Sequence, residues 1–161
     1  MPSILVVCTA NQCRSPMAAA LLRRRLADSP QPAGWQVASA GTWVRPHAPA
    51  APTMVQVAEE WGINLREHQA QEVSAGLLAD QALVVVMERG QKEALALEFP
   101  WVAARLQLLS ELAGPVYDVA DPIDSSLDDY RATAQELDDL IARGLPRIIA
   151  LATNIPDTVT R

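Results

Sequence analysis

Apolar residues recur along this chain in two rhythms. Short apolar runs stand at SILVV (3–7) and ALVVVM (82–87), WQVAS (35–39) alternates, and ARLQLL (104–109) is a further strand candidate. Runs of this length, rich in β-branched residues, predict strands, and the unbroken ones predict strands covered on both faces. Between them the apolar positions fall three or four apart. That spacing predicts helices from about Ser15 to Asp28, Pro52 to Trp61, Gln71 to Ala79, along RGQKEALALEF (89–99), and through SLDDYRATAQELDDLIARG (126–144).

Breakers and caps set the ends. Ser15 as N-cap with Pro16 at the first helical position would open the first helix, and SPQPAG (29–34) would stop it. Gly62 closes the second and Pro100 ends the fourth. Ser125 or Ser126 would cap the long acidic helix. Gly144 and Pro146 predict a break or kink there, after which RIIALA resumes a helical pattern. Strand and helix alternate, so the expectation is an α/β fold with a parallel sheet. Residues 1–161 are expected to form one domain, since no low-complexity linker or internal repeat divides them.

Composition narrows the class. Half of the residues are hydrophobic, enough for a continuous core. No apolar stretch reaches the length of a membrane span. The opening MPSILVV lacks a basic segment ahead of its apolar run, so it reads as a strand rather than a secretion signal. A net charge of −6 argues against nonspecific nucleic-acid binding. Two cysteines are too few for a disulfide scaffold, which favours a reducing, cytoplasmic setting. The one cationic run, Arg23-Arg24-Arg25, reads as a solvated helix face, with attraction of anionic substrates as the other option.

The chemistry concentrates between the first strand and the first helix, in VCTANQCRSPMA (7–18). Cys8 would sit at a strand's carboxyl end, where open α/β sheets bind ligands. Arg14 would stand at the helix start, where unpaired N–H groups and the helix dipole suit an anion. The five residues between them suffice to curl amides around a tetrahedral oxyanion. The guanidinium can then close that cradle as a planar fork. Cations and helix N-termini also favour a thiolate, and Ser15 is placed to hydrogen-bond the sulfur. One loop would thus bind an oxyanion and activate a nucleophile beneath it, which points to phosphoryl transfer through a phosphocysteine. A leaving oxygen then needs a proton, and without a metal a carboxylic acid supplies it. Asp121, stiffened by Pro122, is the candidate; Asp118 and Asp124 are its neighbours. No cofactor or metal is called for. A zinc site from Cys8, Cys13, His47 and His68 has the wrong spacing for a finger.

The segment 7–18 closely resembles the signature loop of the low-molecular-weight protein tyrosine phosphatases of bacterial type. SAGTW (39–43), GINLREHQAQ (62–71), VVVME (84–88) and ADPID (120–124) resemble further family segments, so the likeness covers nearly the whole chain. It implies a three-layer, flavodoxin-like sandwich with a four-stranded parallel sheet. It also implies Cys8 as nucleophile, Arg14 and Asp121 as catalytic partners, and Thr9, Ala10, Asn11, Gln12, Cys13, Arg14 and Ser15 as the phosphate cradle. Asn11 is expected in a left-handed conformation, held by hydrogen bonds from the family's serine and histidine positions, on which Ser39 and His68 fall. The likeness also implies a protective disulfide between Cys8 and Cys13, against a plain buried thiol at Cys13.

The implied substrate is a phosphorylated protein or peptide; charge and hydropathy call for no nucleic-acid or membrane partner, and a monomer is favoured. Phosphotyrosine is the first expectation, with phosphoarginine, the substrate of one bacterial branch, as the close alternative. Tyrosine-directed members usually carry an apolar residue at position 12 and the phosphoarginine branch a threonine; here Gln12 stands. Ile123 and Asp124 follow Asp-Pro, where aromatics often flank a phenyl ring. Trp43 is left as an aromatic wall, or as packing on the loop's underside. Arsenate reduction on the same fold would need further cysteines after Cys13, and there are none. A non-catalytic oxyanion-binding or redox-sensing module is the remaining alternative.

Overall fold

A computed structural model describes residues 1–30 and 34–154. Four strands form one sheet: β1 (Ser3–Cys8), β2 (Gln36–Gly41), β3 (Leu83–Val86) and β4 (Leu106–Leu108). Their order is β2-β1-β3-β4, and every pairing is parallel. All six residues of β1 are buried, as expected for a central strand covered on both faces. The pleat sends alternate side chains to opposite layers. Ile4, Val6 and Cys8 join one hydrophobic cluster, with Met17, Met54, Leu137 and Ile141. Leu5 and Val7 join the other, with Leu78, Leu95 and Val102.

The helices are α1 (Arg14–Ala27), α2 (Pro52–Glu60), α3 (Ala75–Ala79), α4 (Arg89–Glu98), α5 (Leu109–Ala113) and α6 (Leu127–Thr153). With α1, α2 and α6 on one face and α3 and α4 on the other, the architecture is the expected three-layer α/β sandwich. The chain leaves β1 for β2 on one side and reaches β3 on the other. The carboxyl end of β1 therefore opens into the crevice where such sheets bind ligands.

Several boundaries differ from expectation. α1 begins at Arg14 with Cys13 at its N-cap, so Ser15 is not the cap; its hydroxyl is turned inward. The stop expected over SPQPAG falls partly on 31–33, outside the described residues. The helix expected from Gln71 is only α3, capped by Ser74, because Glu72 pairs with Gly41 at the sheet edge. Residues Pro100–Arg105 form a 3₁₀ segment, and β4 begins only at Leu106. The short α5 follows it directly.

The break expected at Gly144 and Pro146 does not occur: α6 runs unbroken through both, capped by Ser126. Gly144 is buried against α5, where an added Cβ would lie 3.3 Å from Leu112 Cβ, so the glycine serves close helix packing. Pro146 is exposed, which lets water satisfy the carbonyl it leaves free. Burial of Leu137, Leu140, Ile141 and Ile148 on both sides holds the helix together. The cationic run is structural: Arg23 donates to Val37 O, Arg24 to Trp61 O, and Arg25 pairs with Asp138 at 2.8 Å.

Candidate active site

The β1–α1 connection is a tight loop held by three neighbours. Backbone amides of Thr42, Trp43 and Ala51 donate to the carbonyls of Cys8, Thr9 and Gln12, which fastens the loop's outer side. Gly41 lies so close that a Cβ there would clash with Thr9 O and approach Asn11 N to 3.0 Å. With the carbonyls directed outward, the amides of Ala10, Asn11, Gln12 and Cys13 donate to no acceptor among the described residues. They add to the free N–H groups of the α1 N-terminus.

Asn11 sits at the turn with φ +56°, a left-handed conformation that asparagine tolerates better than most residues. Its side chain is buried and fully engaged. Nδ2 donates to Ser15 Oγ at 2.8 Å and to Ser39 Oγ at 2.9 Å, and Oδ1 accepts from the Gln71 amide. His68 Nε2 lies 2.7 Å from Asn11 O; since a carbonyl only accepts, that nitrogen carries a proton. Burial, the larger effect, holds the His68 imidazole below its ordinary pKa range, although the bond to Asn11 pulls the other way.

Cys8 Sγ lies 3.0 Å from Ser15 Oγ. The serine oxygen already accepts from Asn11, so its own proton is available to the sulfur or to Ala40 O at 3.3 Å. The two cysteines are free and buried. Cys13 contacts Tyr130 Oη at 3.8 Å, and burial pushes its thiol up to about 12. It therefore stays protonated at neutral pH.

Arg14 is buried to 1% exposure. Nη1 donates to Val119 O at 2.7 Å and faces Glu88 Oε2 at 3.3 Å, while Nη2 faces Asp121 Oδ2 at 3.4 Å. Its Nε is buried without a hydrogen-bond partner among the described residues. A buried, unpartnered donor on a cation is costly, and here it accompanies a row of unpartnered amides. Together they form a donor set for an oxyanion.

Cys8, Cys13, Arg14 and Asp121 line one small depression, with Ala10, Gln12 and Ile123 at its edge. Its free volume is only about 10 Å³, room for about one water-sized group, because Arg14 reaches across it to Asp121. An oxyanion entering would take over that Arg14 contact. Asp121 Oδ1 accepts from the Ile123 amide, an Asx turn that orients the carboxyl. The neighbouring acids go elsewhere: Asp118 accepts from Arg89, and Asp124 lines an adjoining groove.

The model of the family described as "Low molecular weight phosphotyrosine protein phosphatase" matches residues 3–150. The chain belongs to that family. It is therefore an enzyme, a phosphatase of the cysteine-dependent kind. The phosphatase is 35% identical over 149 residues to a "Probable low molecular weight protein-tyrosine-phosphatase EpsP" of Ralstonia nicotianae, covering 92% of this chain and 97% of that protein. It is 34% identical over 141 residues to a "Protein-arginine-phosphatase" of Geobacillus stearothermophilus, covering 87% and 91%. Among solved structures, it matches a YwlE arginine phosphatase mutant with a phosphorylated active site serine, at TM-score 0.84 and 32% identity over 91% of this chain and 95% of that one.

Other residues expected at the phosphatase site lie as follows. Trp43 is 81% exposed, so it does not pack beneath the loop, and it does not line the depression. His47 is exposed with φ +63° and contacts Gln69. Sequence reasoning missed Glu88, Gly41, Gln71, Gln91 and Tyr130. Gln91 Nε2 contacts both Thr9 Oγ1 and Glu88 Oε2, tying the start of α4 to the loop. Glu88 was findable, because it follows β3 at the crevice end of the sheet. Tyr130 gave no local signal.

Proposed function

We propose that this phosphatase hydrolyses phosphotyrosine on proteins through a phosphocysteine intermediate, acting as a single catalytic domain without cofactor. The observation that carries this reading is that Cys8, Arg14 and Asp121 line one depression, beside unpartnered loop amides and the unpartnered Arg14 Nε. In the first step the Cys8 thiolate attacks phosphorus in line, and the phosphorus–oxygen bond to tyrosine breaks as Asp121 donates its proton to the leaving oxygen. In the second, water attacks phosphorus, Asp121 takes up the water's proton, and the sulfur–phosphorus bond breaks to release phosphate and thiolate. Arg14 and the amides of residues 9–15 hold the three equatorial oxygens through both steps, where charge must be stabilised. Ser15 supports the thiolate, and Asn11, Ser39 and His68 keep the loop in shape. The structure of the relative with a phosphorylated active site serine supports a covalent phosphoenzyme.

Phosphoarginine is the second reading, with the same steps and nitrogen as leaving atom. It is favoured by the depression's lining, which holds no aromatic side chain, and by Asp124, placed next to Ile123 at its mouth. Gln12 and Trp43 are the other specificity residues in this proposal. Under peroxide, a Cys8 sulfenic acid would condense with the Cys13 thiol, forming a disulfide and releasing water. A monomer in a reducing cytoplasm fits the free thiols; among the described residues no helix is long and apolar enough to cross a membrane.

Hydrolysis of p-nitrophenyl phosphate without added metal tests the proposal. Wild type is expected to turn over, Cys8→Ser to be inert, and Asp121→Asn to fall about 10²- to 10⁴-fold. Turnover by Cys8→Ser would sink the mechanism, and tight phosphate binding with no turnover by wild type would favour a sensor. Parallel kinetics on phosphotyrosine and phosphoarginine peptides, with Gln12→Ile and Gln12→Thr, decide the substrate.

A further inference from the structure

A groove of about 310 Å³ adjoins the catalytic depression and shares Gln12 and Ile123 with it. One wall comes from the segment Arg45 to Thr53, and the other from Ile123 to Ser125 with Tyr130. The Ala51 amide donates to Gln12 O at 2.9 Å, so the first wall is fastened to the catalytic loop itself. Among the groove's lining residues Arg45 is the only cation and Asp124 the only anion. Arg45 is exposed and enters none of the ion pairs among the described residues. The other arginines near the site are engaged: Arg14 on Val119 O, Arg66 on Glu59 and Arg89 on Asp118.

We infer that this groove is the subsite for the polypeptide flanking the phosphoresidue, and that Arg45 selects an acidic side chain there, an inference that rests on the phosphatase reading above. A phosphate held on the loop amides fixes the phosphoresidue over Gln12 and Ile123, and the chain on that side must run into the groove. Asp124 follows Ile123 and therefore stands at the end nearer the phosphoresidue. Arg45 lines the groove but not the depression, so it meets the side chain of a neighbouring residue rather than the phosphoresidue itself. A guanidinium with its donors free is suited to a bidentate carboxylate. The protein's net charge of −6 opposes acidic segments at long range, so the selection is local and measured best against a neutral isostere.

The experiment compares phosphotyrosine peptides bearing glutamate or glutamine at the positions flanking the phosphoresidue, with p-nitrophenyl phosphate as a substrate too small to reach the groove. Wild type is expected to prefer one glutamate-bearing peptide by about two- to fivefold in kcat/KM, the scale of an exposed ion pair. The preference should lie in KM and fade at high salt. Arg45→Gln should abolish it and Arg45→Glu reverse it, while turnover of p-nitrophenyl phosphate stays the same. No glutamate preference in wild type, or a preference untouched by Arg45→Glu, overturns the assignment. Failure of wild type on p-nitrophenyl phosphate would instead overturn the catalytic reading, and this one with it.

Discussion

Ser15 Oγ stands 3.0 Å from Cys8 Sγ inside the protein, while Asn11 supplies the serine oxygen with a donor. This order leaves the serine proton free for the sulfur or for Ala40 O at 3.3 Å, and donation to the sulfur would support the attacking thiolate of the proposed mechanism. A hydrogen bond to a charged group contributes about 1.5–3 kcal/mol. Ser15→Ala should therefore lower kcat about 10- to 100-fold on p-nitrophenyl phosphate. The second step, in which the thiolate is the leaving group, should slow most. Rapid-quench detection of accumulated phosphoenzyme checks this, and an unchanged kcat would show that the serine is only a packing residue.

Gly41 lies against the same loop, beside the Thr9 carbonyl. A Cβ there would meet Thr9 O, Val44 Cγ2 at 2.5 Å and Asn11 N at 3.0 Å, two of which are backbone atoms that yield only if the loop moves. Gly41→Ala should destabilise by about 1–3 kcal/mol and cut activity at least tenfold. Gly76→Ala, in α3 with nothing within 4 Å of the added Cβ, serves as the control and should leave activity unchanged and stability equal or up to about 1 kcal/mol higher. Urea unfolding and steady-state kinetics on the two variants give the comparison.

His68 supplies a pH dependence. Its pKa is held below the ordinary value of 6.5, chiefly by burial. The folded protein therefore keeps it neutral while the unfolded chain takes up a proton. The stability due to neutral His68 is complete above about 6.5 and is lost as pH falls from there through the lower folded value. Urea unfolding of wild type should show this decline between pH 7 and pH 5. His68→Gln should start less stable and show a flatter profile over the same range. Parallel profiles would mean that His68 does not titrate differently on folding.

Pro146 occupies an exposed position inside α6 and removes one helical hydrogen bond. Pro146→Ala should stabilise the protein by about 1–3 kcal/mol, read as a higher urea midpoint with kcat unchanged. A lower midpoint would show that the ring makes a needed contact.

The strands, most of the helices and the phosphate loop were legible in the sequence because each is written in neighbouring residues. ILVV and LVVV are apolar throughout since both faces of a central strand are covered, and CTANQCR carries nucleophile, cradle and guanidinium within one turn of chain. The α5 and 3₁₀ segments were not legible, being too short to show a period. Tertiary structure decided which further side chains complete the site and which of two local readings holds. Ser15 reads locally both as a helix cap and as a partner of the sulfur; Cys13 takes the cap position and the hydroxyl faces the sulfur. Glu88 reaches Arg14 only because β3 lies beside β1. Pro146 reads as a helix stop, yet burial on both sides of it carries α6 through. Local rules describe what a segment prefers alone, and long-range packing outweighs them wherever the apolar area buried between distant segments exceeds a cap's or a turn's contribution of about 1 kcal/mol.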